Sequence, residues 1–285
     1  MKCVVCDVVV EDINDSSIGL ARSNVQEFSH INYKIWRCTA CRTIQALDSV
    51  DYQRIYKNYP LNKRKLDFFA RTSYKNLFKR LDGLKSDSSI LDFGSGQPIF
   101  AKFMLERGFN KVVPFDPWIK KCSSRDFLKS KYDYIIANDV IEHMHSPHDL
   151  FLQLIPIMKK RSFLYIGMPD PDGIADIKNL DKELMRLHLP FHRTMISLEK
   201  LRELGKSYGL DEVRIYKRSY MDTMLPFVNY KFLNELNGAL GHIIDKAFDP
   251  ISFSLFFRNP MLLFWGFCGY FFPCAYEPAV LWRKK

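Results

Sequence analysis

The sequence predicts an α/β fold in which an open, mostly parallel sheet carries helices on both faces. Residues 90–93 form a short apolar segment typical of a buried strand, a glycine turn follows, and apolar residues at helical spacing continue to Gly108. A second predicted strand, 111–115, ends at Asp116, and a third, 132–139, also ends in polar residues. Ligands bind at the carboxyl ends of strands in open α/β sheets, so these polar strand ends predict a ligand site.

The glycine turn has the features of a nucleotide-binding site. Asp92 precedes Gly94, Ser95 and Gly96, and a predicted helix start follows, so backbone N–H groups would face a ligand at the end of the strand. Asp116 lies roughly 20 residues further on, where an acidic side chain can hold the hydroxyls of a ribose. The turn departs from the dinucleotide fingerprint because isoleucine replaces its third glycine.

The order Leu-Asp-Phe-Gly-Ser-Gly resembles motif I of the class I S-adenosylmethionine (SAM) methyltransferases. This resemblance implies that Asp92 helps to hold the methionine amino group, that the turn approaches the sulfonium, and that Asp116 binds the ribose. Asp139, at the end of the third strand, joins these cofactor-binding candidates. The family usually has a glycine where this chain has Pro98; proline can begin a helix, so we expect the turn to survive with less room beside the methionine.

The composition is that of a globular protein of one or two domains. The chain has 285 residues, 47% of them hydrophobic and 26% charged, which excludes a disordered chain and an integral membrane protein. The net charge is +10, and residues 54–80 are conspicuously basic. This segment is either a solvated helix face or a surface for an acidic substrate, nucleic acid or anionic membrane. The N-terminus shows no signal peptide, so we expect a cytoplasmic protein.

Four N-terminal cysteines form two identical Cys-x-x-Cys pairs. In a chain without a secretion signal, this pattern predicts a structural zinc site rather than disulfides, and the intervening residues 7–37 should form hairpins. With four protein ligands, the metal would have no open position for catalysis. A redox dithiol is the alternative, but it would not need a second pair. The predicted zinc ligands are Cys3, Cys6, Cys38 and Cys41.

Residues 50–84 are predicted to be helical, with an apolar face over Lys63–Leu84. In the methyltransferases that the chain resembles, helices ahead of motif I often cap the SAM pocket. The next segment, from Asp116 to Asp139, is too short for a complete further helix and strand. Asp126 is therefore only a candidate for the adenine contact.

The third strand is followed by a cluster of acidic residues and histidines. Glu142 and His143 lie just beyond its end, and this pair resembles the Glu-His motif of ubiquinone-pathway O-methyltransferases and of zinc-ribbon methyltransferases acting on sugars and small metabolites. His143 is the predicted general base, because imidazole titrates near neutral pH. His192 precedes a predicted helix, where the zinc-ribbon family often has a histidine on the substrate side; a structural role for it is the alternative.

The same cluster also resembles the metal site of small-RNA 3′-end 2′-O-methyltransferases. Asp139, Glu142 and His143 could bind a divalent cation that draws together two neighbouring hydroxyls, with His188 and His192 downstream. That family has glutamate at the first position. This hypothesis would make the acceptor RNA and its binding strongly salt-dependent.

Residues 251–275 form a strongly apolar segment within a C-terminal insertion. Its longest clean run has 15 residues, below the ~20 that a spanning helix needs. Core or dimer packing is one interpretation, and a membrane-dipping or lipid-binding surface is the other.

Together these patterns predict a SAM-dependent methyltransferase with an N-terminal zinc ribbon. The expected acceptor is a small metabolite, sugar, quinone-like or lipid-linked, methylated on oxygen or carbon. The protein would be cytoplasmic, with membrane association as the alternative. A non-catalytic SAM-binding or interaction module is a further alternative. The predicted divisions are a zinc-ribbon module at 1–49, a helical cap at 50–87, a SAM-binding core at 88–218, an apolar helical insertion at 219–277 and a closing strand at 278–285.

Overall fold

The computed structural model describes residues 1–11, 15–218, 224–250, 252–272 and 277–285. The strands are β1 Ile18–Arg22, β2 Asn32–Arg37, β3 Ile44–Ala46, β4 Ile90–Phe93, β5 Val112–Phe115, β6 Tyr132–Asn138, β7 Met158–Gly167, β8 Thr194–Met195, β9 Leu210–Arg218 and β10 Glu277–Lys284. The α-helices are α1 Tyr52–Lys57, α2 Phe68–Lys79, α3 Ile99–Leu105, α4 Pro147–Leu154, α5 Leu184–Leu187, α6 Leu198–Ser207, α7 Tyr230–Ala239, α8 Phe253–Arg258 and α9 Met261–Cys268.

The central sheet has the order β5-β4-β6-β7-β10-β9 across the described residues. Its first three pairings are parallel, and β10 runs antiparallel between β7 and β9. Every residue of β4 is buried because helices cover both faces of the sheet. Alternate residues of the central strands point to opposite faces of the sheet and so contribute to two separate apolar cores. Helices α2 and α3 pack on one face of the sheet, and α4 and α6 pack on the other. The predicted α/β fold with helices on both faces is confirmed.

The segment between β5 and β6 has no α-helix or strand. All of its residues are described, and they form two 3₁₀ helices, Lys120–Cys122 and Arg125–Lys129. As a result, β5 is an edge strand of the sheet. The short distance in sequence between Asp116 and Asp139 predicted that a helix and a strand would be missing here.

Several helices and strands differ in length from the sequence prediction. Asp67 caps α2 by accepting a hydrogen bond from the backbone N–H of Ala70, so the helix begins there rather than at Lys63. The sequence pattern predicts one helix over residues 148–159, but α4 ends at Leu154. A 3₁₀ turn that contains Pro156 follows, and β7 begins at Met158.

The N-terminal residues form a second, four-stranded antiparallel sheet of order β1-β2-β3-β8. β8 follows the histidine-containing loop much later in the chain. Ile35 and Phe28 of the N-terminal segment share a core with Leu187, Leu189 and Phe191 of that loop. The cysteine-bearing module is therefore packed against the same loop that carries His192.

The C-terminal insertion forms a small helical layer of its own. Leu262 of α9 packs against Phe232 and Leu236 of α7 in a separate apolar core. The apolar stretch predicted at 251–275 is broken between α8 and α9 at Asn259–Pro260, and residues 251 and 273–275 lie outside the described residues. Within the described parts of the chain, no helix reaches the length and apolar character needed to cross a membrane.

Candidate active site

A cavity of about 760 Å³ lies at the carboxyl ends of β4, β5 and β6. The ends of these strands supply acidic residues and the glycine turn to its wall. The opposite wall comes from α1, α2, the loop that carries His192, and the insertion. The cavity is lined by all the predicted catalytic and cofactor-binding candidates except Asp126: Asp92, Gly94, Ser95, Gly96, Asp116, Asp139, Glu142, His143 and His192.

The glycine turn lies between β4 and α3. Gly94 and Gly96 have φ angles of +76° and +54°, which favour glycine. A Cβ on Gly94 would lie 2.3 Å from Val140 Cγ2, so the close approach of the next loop also requires glycine there. Pro98 is accommodated at the N-cap of α3, with a φ of −74°. Proline at this position therefore does not disrupt the turn.

Asp116 is tied directly to the turn. Its Oδ2 accepts a hydrogen bond of 2.9 Å from the N–H of Gly96, and its Oδ1 accepts one of 2.8 Å from the N–H of Trp118. Burial raises the pKa of this carboxyl group, and the backbone N–H groups oppose that shift. Asp116 is thus held in a fixed orientation at the edge of the cavity.

Asp92 is a buried acid with one unpartnered oxygen. It is only 7% exposed, and its Oδ2 has no hydrogen-bond partner among the described residues. Burial, with a smaller contribution from the charge of Asp116, raises its pKa to about 7. A buried carboxylate without a partner is costly, so this oxygen favours a ligand that donates hydrogen bonds or carries positive charge.

Asp139 is paired with an arginine that sequence reasoning missed. Arg218, at the end of β9, places Nη2 2.7 Å from Asp139 Oδ1, and its Nη1 donates to Asn138 Oδ1 at 2.8 Å. Glu277 of β10 lies 3.6 Å from the same guanidinium. Burial alone would lower the pKa of Arg218. The negative charges of Asp139 and Glu277 outweigh this effect, so the pKa of Arg218 is raised. The negative charge of Asp139 is therefore paired with Arg218 within the protein.

Glu142, His143 and His192 meet at the other end of the cavity. Their ligand-type atoms lie within 4.8 Å of one another. Glu142 is 1% exposed, and neither of its carboxylate oxygens has a hydrogen-bond partner among the described residues. His192 Nε2 is 3.9 Å from Glu142 Oε1, and the two imidazole rings are 4.8 Å apart. Burial and the charge of Asp139 raise the pKa of Glu142 well above its ordinary value.

Each histidine in this region has a distinct environment. His143 Nδ1 lies 2.9 Å from the hydroxyl of Tyr56, and burial lowers the pKa of His143 to about 4. His192 Nδ1 lies 2.8 Å from the carbonyl oxygen of Arg186, to which it can donate, leaving Nε2 as an acceptor. Burial likewise lowers the pKa of His192. Both ring nitrogens of His188 are hydrogen-bonded within the protein, Nδ1 to Asn24 Oδ1 and Nε2 to the hydroxyl of Tyr59, which indicates a structural role.

Aromatic residues of α1 form part of the cavity wall, in the segment that the sequence predicts to be a helical cap. The ring of Tyr56 stacks on Trp118 at 4.8 Å and meets Phe191 edge-on at 5.3 Å. Tyr52 also stacks on Trp118. The helical spacing of these tyrosines was visible in the sequence, but their proximity to His143 depends on the fold.

Asp126 does not have the predicted adenine-contacting position. Its carboxylate forms an exposed ion pair with Lys129, because the 3₁₀ helix turns it toward solvent. Its neighbour Arg125 lines the cavity instead.

The four N-terminal cysteines form a second cluster away from the cavity. Cys3 Sγ lies 3.6 Å from Cys41 Sγ, and Cys6 Sγ lies 3.8 Å from Cys38 Sγ. All four sulfur atoms lie within 4.8 Å of one another. A tetrahedron with Zn–S bonds of about 2.3 Å has S···S edges of about 3.8 Å, so the donor set fits a four-thiolate zinc ion.

Comparison with known proteins identifies the family. The profile described as "Methyltransferase domain" matches residues 64–215, more than half of the chain. No curated protein matches the sequence.

Several solved methyltransferase structures are similar to this chain at low sequence identity. A chain from the complex between the Haloferax volcanii Trm112 methyltransferase activator and a candidate methyltransferase is 12% identical, with 83% of this chain and 99% of that chain covered and a TM-score of 0.51. A candidate sarcosine dimethylglycine methyltransferase from Galdieria sulphuraria is 16% identical, with coverages of 76% and 85% and a TM-score of 0.47. Phosphoethanolamine N-methyltransferase 2 from Haemonchus contortus, bound to phosphomonomethylethanolamine and S-adenosylhomocysteine, is 12% identical, with coverages of 98% and 72% and a TM-score of 0.48. The chain belongs to the methyltransferase-domain family and is a class I SAM-dependent methyltransferase.

Proposed function

We propose that the protein transfers the methyl group of SAM to an oxygen or carbon of a small metabolite, with His143 as the general base. The observation that carries this proposal is that the glycine turn and the Glu142–His143–His192 cluster line one continuous cavity. A sugar, a quinone-like compound or a lipid-linked molecule is the proposed acceptor. The apolar insertion residues in the cavity wall favour an acceptor with an apolar part.

The residues at the β4–β5 end of the cavity fit the cofactor. The unpartnered Oδ2 of Asp92 can accept from the methionine ammonium group, and the fixed carboxylate of Asp116 can accept from the ribose hydroxyls. Gly94 and Gly96 leave the backbone accessible between them. SAM supplies an electrophilic methyl group on its sulfonium. The protein's contribution is to hold acceptor and cofactor in line, which can supply much of the rate.

The other end of the cavity fits a proton-transfer role. Burial lowers the pKa of His143 to about 4, so the imidazole is neutral at pH 7 and has a ring nitrogen that can accept a proton from an attacking hydroxyl, with a basicity below that of a free imidazole. The Tyr56 hydroxyl fixes the ring through Nδ1. His192 and Glu142 lie beside it, where they can orient the acceptor.

A structural zinc ion in the four-cysteine cluster is part of the same proposal. The S···S separations match a four-thiolate site, and Cys3 and Cys38 are fully buried in the core that covers one face of the central sheet. The ion would tie the N-terminal residues to the end of β2, and the sheet that contains β2 extends through β3 to β8, next to the loop that carries His192.

Methyl-labelled SAM tests the reaction. The protein is incubated with labelled SAM and, separately, with nucleotide sugars, phenolic quinone precursors, lipid-linked sugars and RNA. We expect label in one small-molecule class and none with a His143→Ala variant. A non-catalytic SAM-binding module would transfer no label to any class and would bind SAM equally well in both proteins.

Metal-assisted 2′-O-methylation of RNA is a second candidate, favoured by one observation. Glu142 presents two unpartnered, buried oxygens beside two imidazoles, a donor set that suits a divalent cation. The cluster differs from the predicted set, because Asp139 is paired with Arg218 and His192 takes its place. For this candidate, transfer to RNA would require added Mn²⁺ or Mg²⁺ and would stop with EDTA; for the first candidate, transfer would need neither ion.

A further inference from the structure

The insertion exposes an unusually apolar surface, which we call the insertion tip: residues 252–272, containing α8, α9 and the 3₁₀ turn Gly269–Phe271. Phe253 is 84% exposed, Phe257 is 88% exposed and Phe271 is 85% exposed. Leu263 and Phe267 are also exposed. So many exposed large apolar side chains within 21 residues indicate an interaction site rather than ordinary solvent-facing surface.

We propose that the insertion tip docks the enzyme onto an anionic lipid bilayer and so presents the cavity to a lipid-linked acceptor. This inference rests on the proposed methyl-transfer function and deepens it by naming the acceptor class. The helices would lie within the interface, because α8 has six residues and α9 has eight, both far below a spanning length.

The charges around the tip favour an anionic surface. Arg258 is the only charged residue of 252–272, so the tip itself carries no acid. Arg258 and Lys246 line a hollow of about 570 Å³ beside the tip, together with Ser252, Ser254 and one acid, Asp249. The whole chain carries a net charge of +10. Basic side chains beside exposed aromatic residues are the combination that binds acidic headgroups while apolar groups enter the interface.

The exposed residues are separate from those that hold the insertion together. The inner side of α9, with Leu262 fully buried, packs against α7, and Asn259 hydrogen-bonds to Glu235 at 2.7 Å. Phe253 and Phe257 lie on the outer side of α8 and are almost fully exposed. Replacing these two residues should therefore leave the fold intact.

The insertion tip is coupled to the cavity through the insertion's other elements. Leu233 and Leu236 of α7 line the cavity, and so do Ile244 and Phe248 of the following 3₁₀ helix. α9 packs directly on α7. A bilayer in contact with the tip would thus lie next to the apolar wall of the cavity, where the hydrocarbon portion of a lipid-linked acceptor could enter.

Vesicle flotation tests the inference. Wild-type protein is mixed with vesicles of phosphatidylcholine alone or with 30% phosphatidylglycerol, beside a Phe253→Ser/Phe257→Ser variant. A Leu105→Ser/Leu152→Ser variant is the matched control, because those leucines are exposed on α3 and α4. We expect wild type and control to float with the anionic vesicles, and the tip variant to bind at least ten-fold more weakly.

Two further measurements on the same samples separate the alternatives. Light scattering reports the oligomeric state: a dimer that the tip variant dissociates, with no vesicle binding, would overturn the inference in favour of a second copy of this chain. Equal flotation of tip variant and wild type would also overturn it. Calorimetric SAM binding is measured in parallel: retained SAM binding without flotation refutes only the membrane inference, whereas flotation without SAM binding refutes only the methyl-transfer proposal.

Discussion

The backbone N–H of Arg193 donates a hydrogen bond to the carbonyl oxygen of Glu142, with an N···O distance of 2.7 Å. Arg193 directly precedes β8, which pairs with β3 of the cysteine-bearing sheet. Thr194 Oγ1 likewise donates to the carbonyl of His145 at 2.9 Å. The N-terminal sheet therefore supports the turn that carries Glu142 and His143.

Loss of the cysteine site should impair turnover more than cofactor binding. In a Cys38→Ser variant, we expect less bound zinc, a lower melting temperature and reduced methyl transfer, because structural zinc contributes directly to folding. SAM affinity should change less, since Asp92 and Asp116 lie on the central sheet. Elemental analysis, thermal unfolding and calorimetry on one preparation measure the three effects.

Cys268→Ser is the matched control, because Cys268 lies on α9 and outside the cluster. A wild-type protein that purifies without near-stoichiometric zinc would contradict the metal assignment. Equal loss of turnover in both variants would contradict the link between the cluster and catalysis.

Removal of the His143 imidazole should slow the chemical step. We expect His143→Ala to lower kcat by about 10²–10⁴-fold, the usual contribution of a general base, while SAM affinity is retained. His30→Ala, at an exposed position far along the chain from the cluster, serves as the control and should keep wild-type kcat. If both variants turn over at the same rate, the proton acceptor is another group.

SAM binding should depend on the ionisation of Asp92. The pKa of Asp92 is raised to about 7, so its carboxyl group is mostly protonated below that pH and mostly ionised above it. Because the ionised form pairs with an ammonium group, we expect affinity to fall as pH drops from 8 to 6. At pH 7 about half of the Asp92 carboxyl groups are protonated, so binding should release about half a proton per SAM molecule. Calorimetry in buffers of different ionisation enthalpy measures this release. Asp92→Asn should bind more weakly at pH 8 and lose the pH dependence; an unchanged pH profile would disprove the assignment.

Asp139 should act on stability rather than on the cofactor. Because its carboxylate is paired with the buried Arg218, we expect Asp139→Asn to lower the free energy of unfolding by about 1–3 kcal/mol. SAM affinity should remain within a few-fold of wild type. Denaturant unfolding and calorimetry distinguish the two roles, and a large loss of affinity at unchanged stability would show that Asp139 is a cofactor ligand.

Local sequence patterns predicted the parts of this site that are close together in the chain. Asp92, the glycine turn and the Glu-His pair lie at or just beyond the ends of predicted strands, which indicated a ligand site. The Cys-x-x-Cys spacing indicated the cysteine cluster. Arg218 and Tyr56 were missed as site residues because their roles depend on distant contacts: Arg218 meets Asp139 only when β9 and β10 complete the sheet, and Tyr56 meets His143 only when α1 folds over the loop.

Dependence on distant contacts also explains why the sequence grouped Asp139 with Glu142 and His143 in its metal-site hypothesis. Asp139 and Glu142 are three residues apart, which suggested a shared cation, but Asp139 has a φ of +57° and its carboxylate bonds to Arg218. A left-handed backbone conformation and a partner 79 residues away are not readable from spacing.

Titration of SAM and S-adenosylhomocysteine into the purified protein tests the central claim most directly. Wild type is compared with Asp116→Ala, which removes the carboxylate held by Gly96, and with Asp126→Ala, which removes an exposed carboxylate outside the cavity. We predict micromolar binding to wild type and Asp126→Ala, and at least a ten-fold loss in Asp116→Ala. No binding to zinc-loaded wild type, or equal binding to all three proteins, would contradict the assignment of this cavity as the cofactor site.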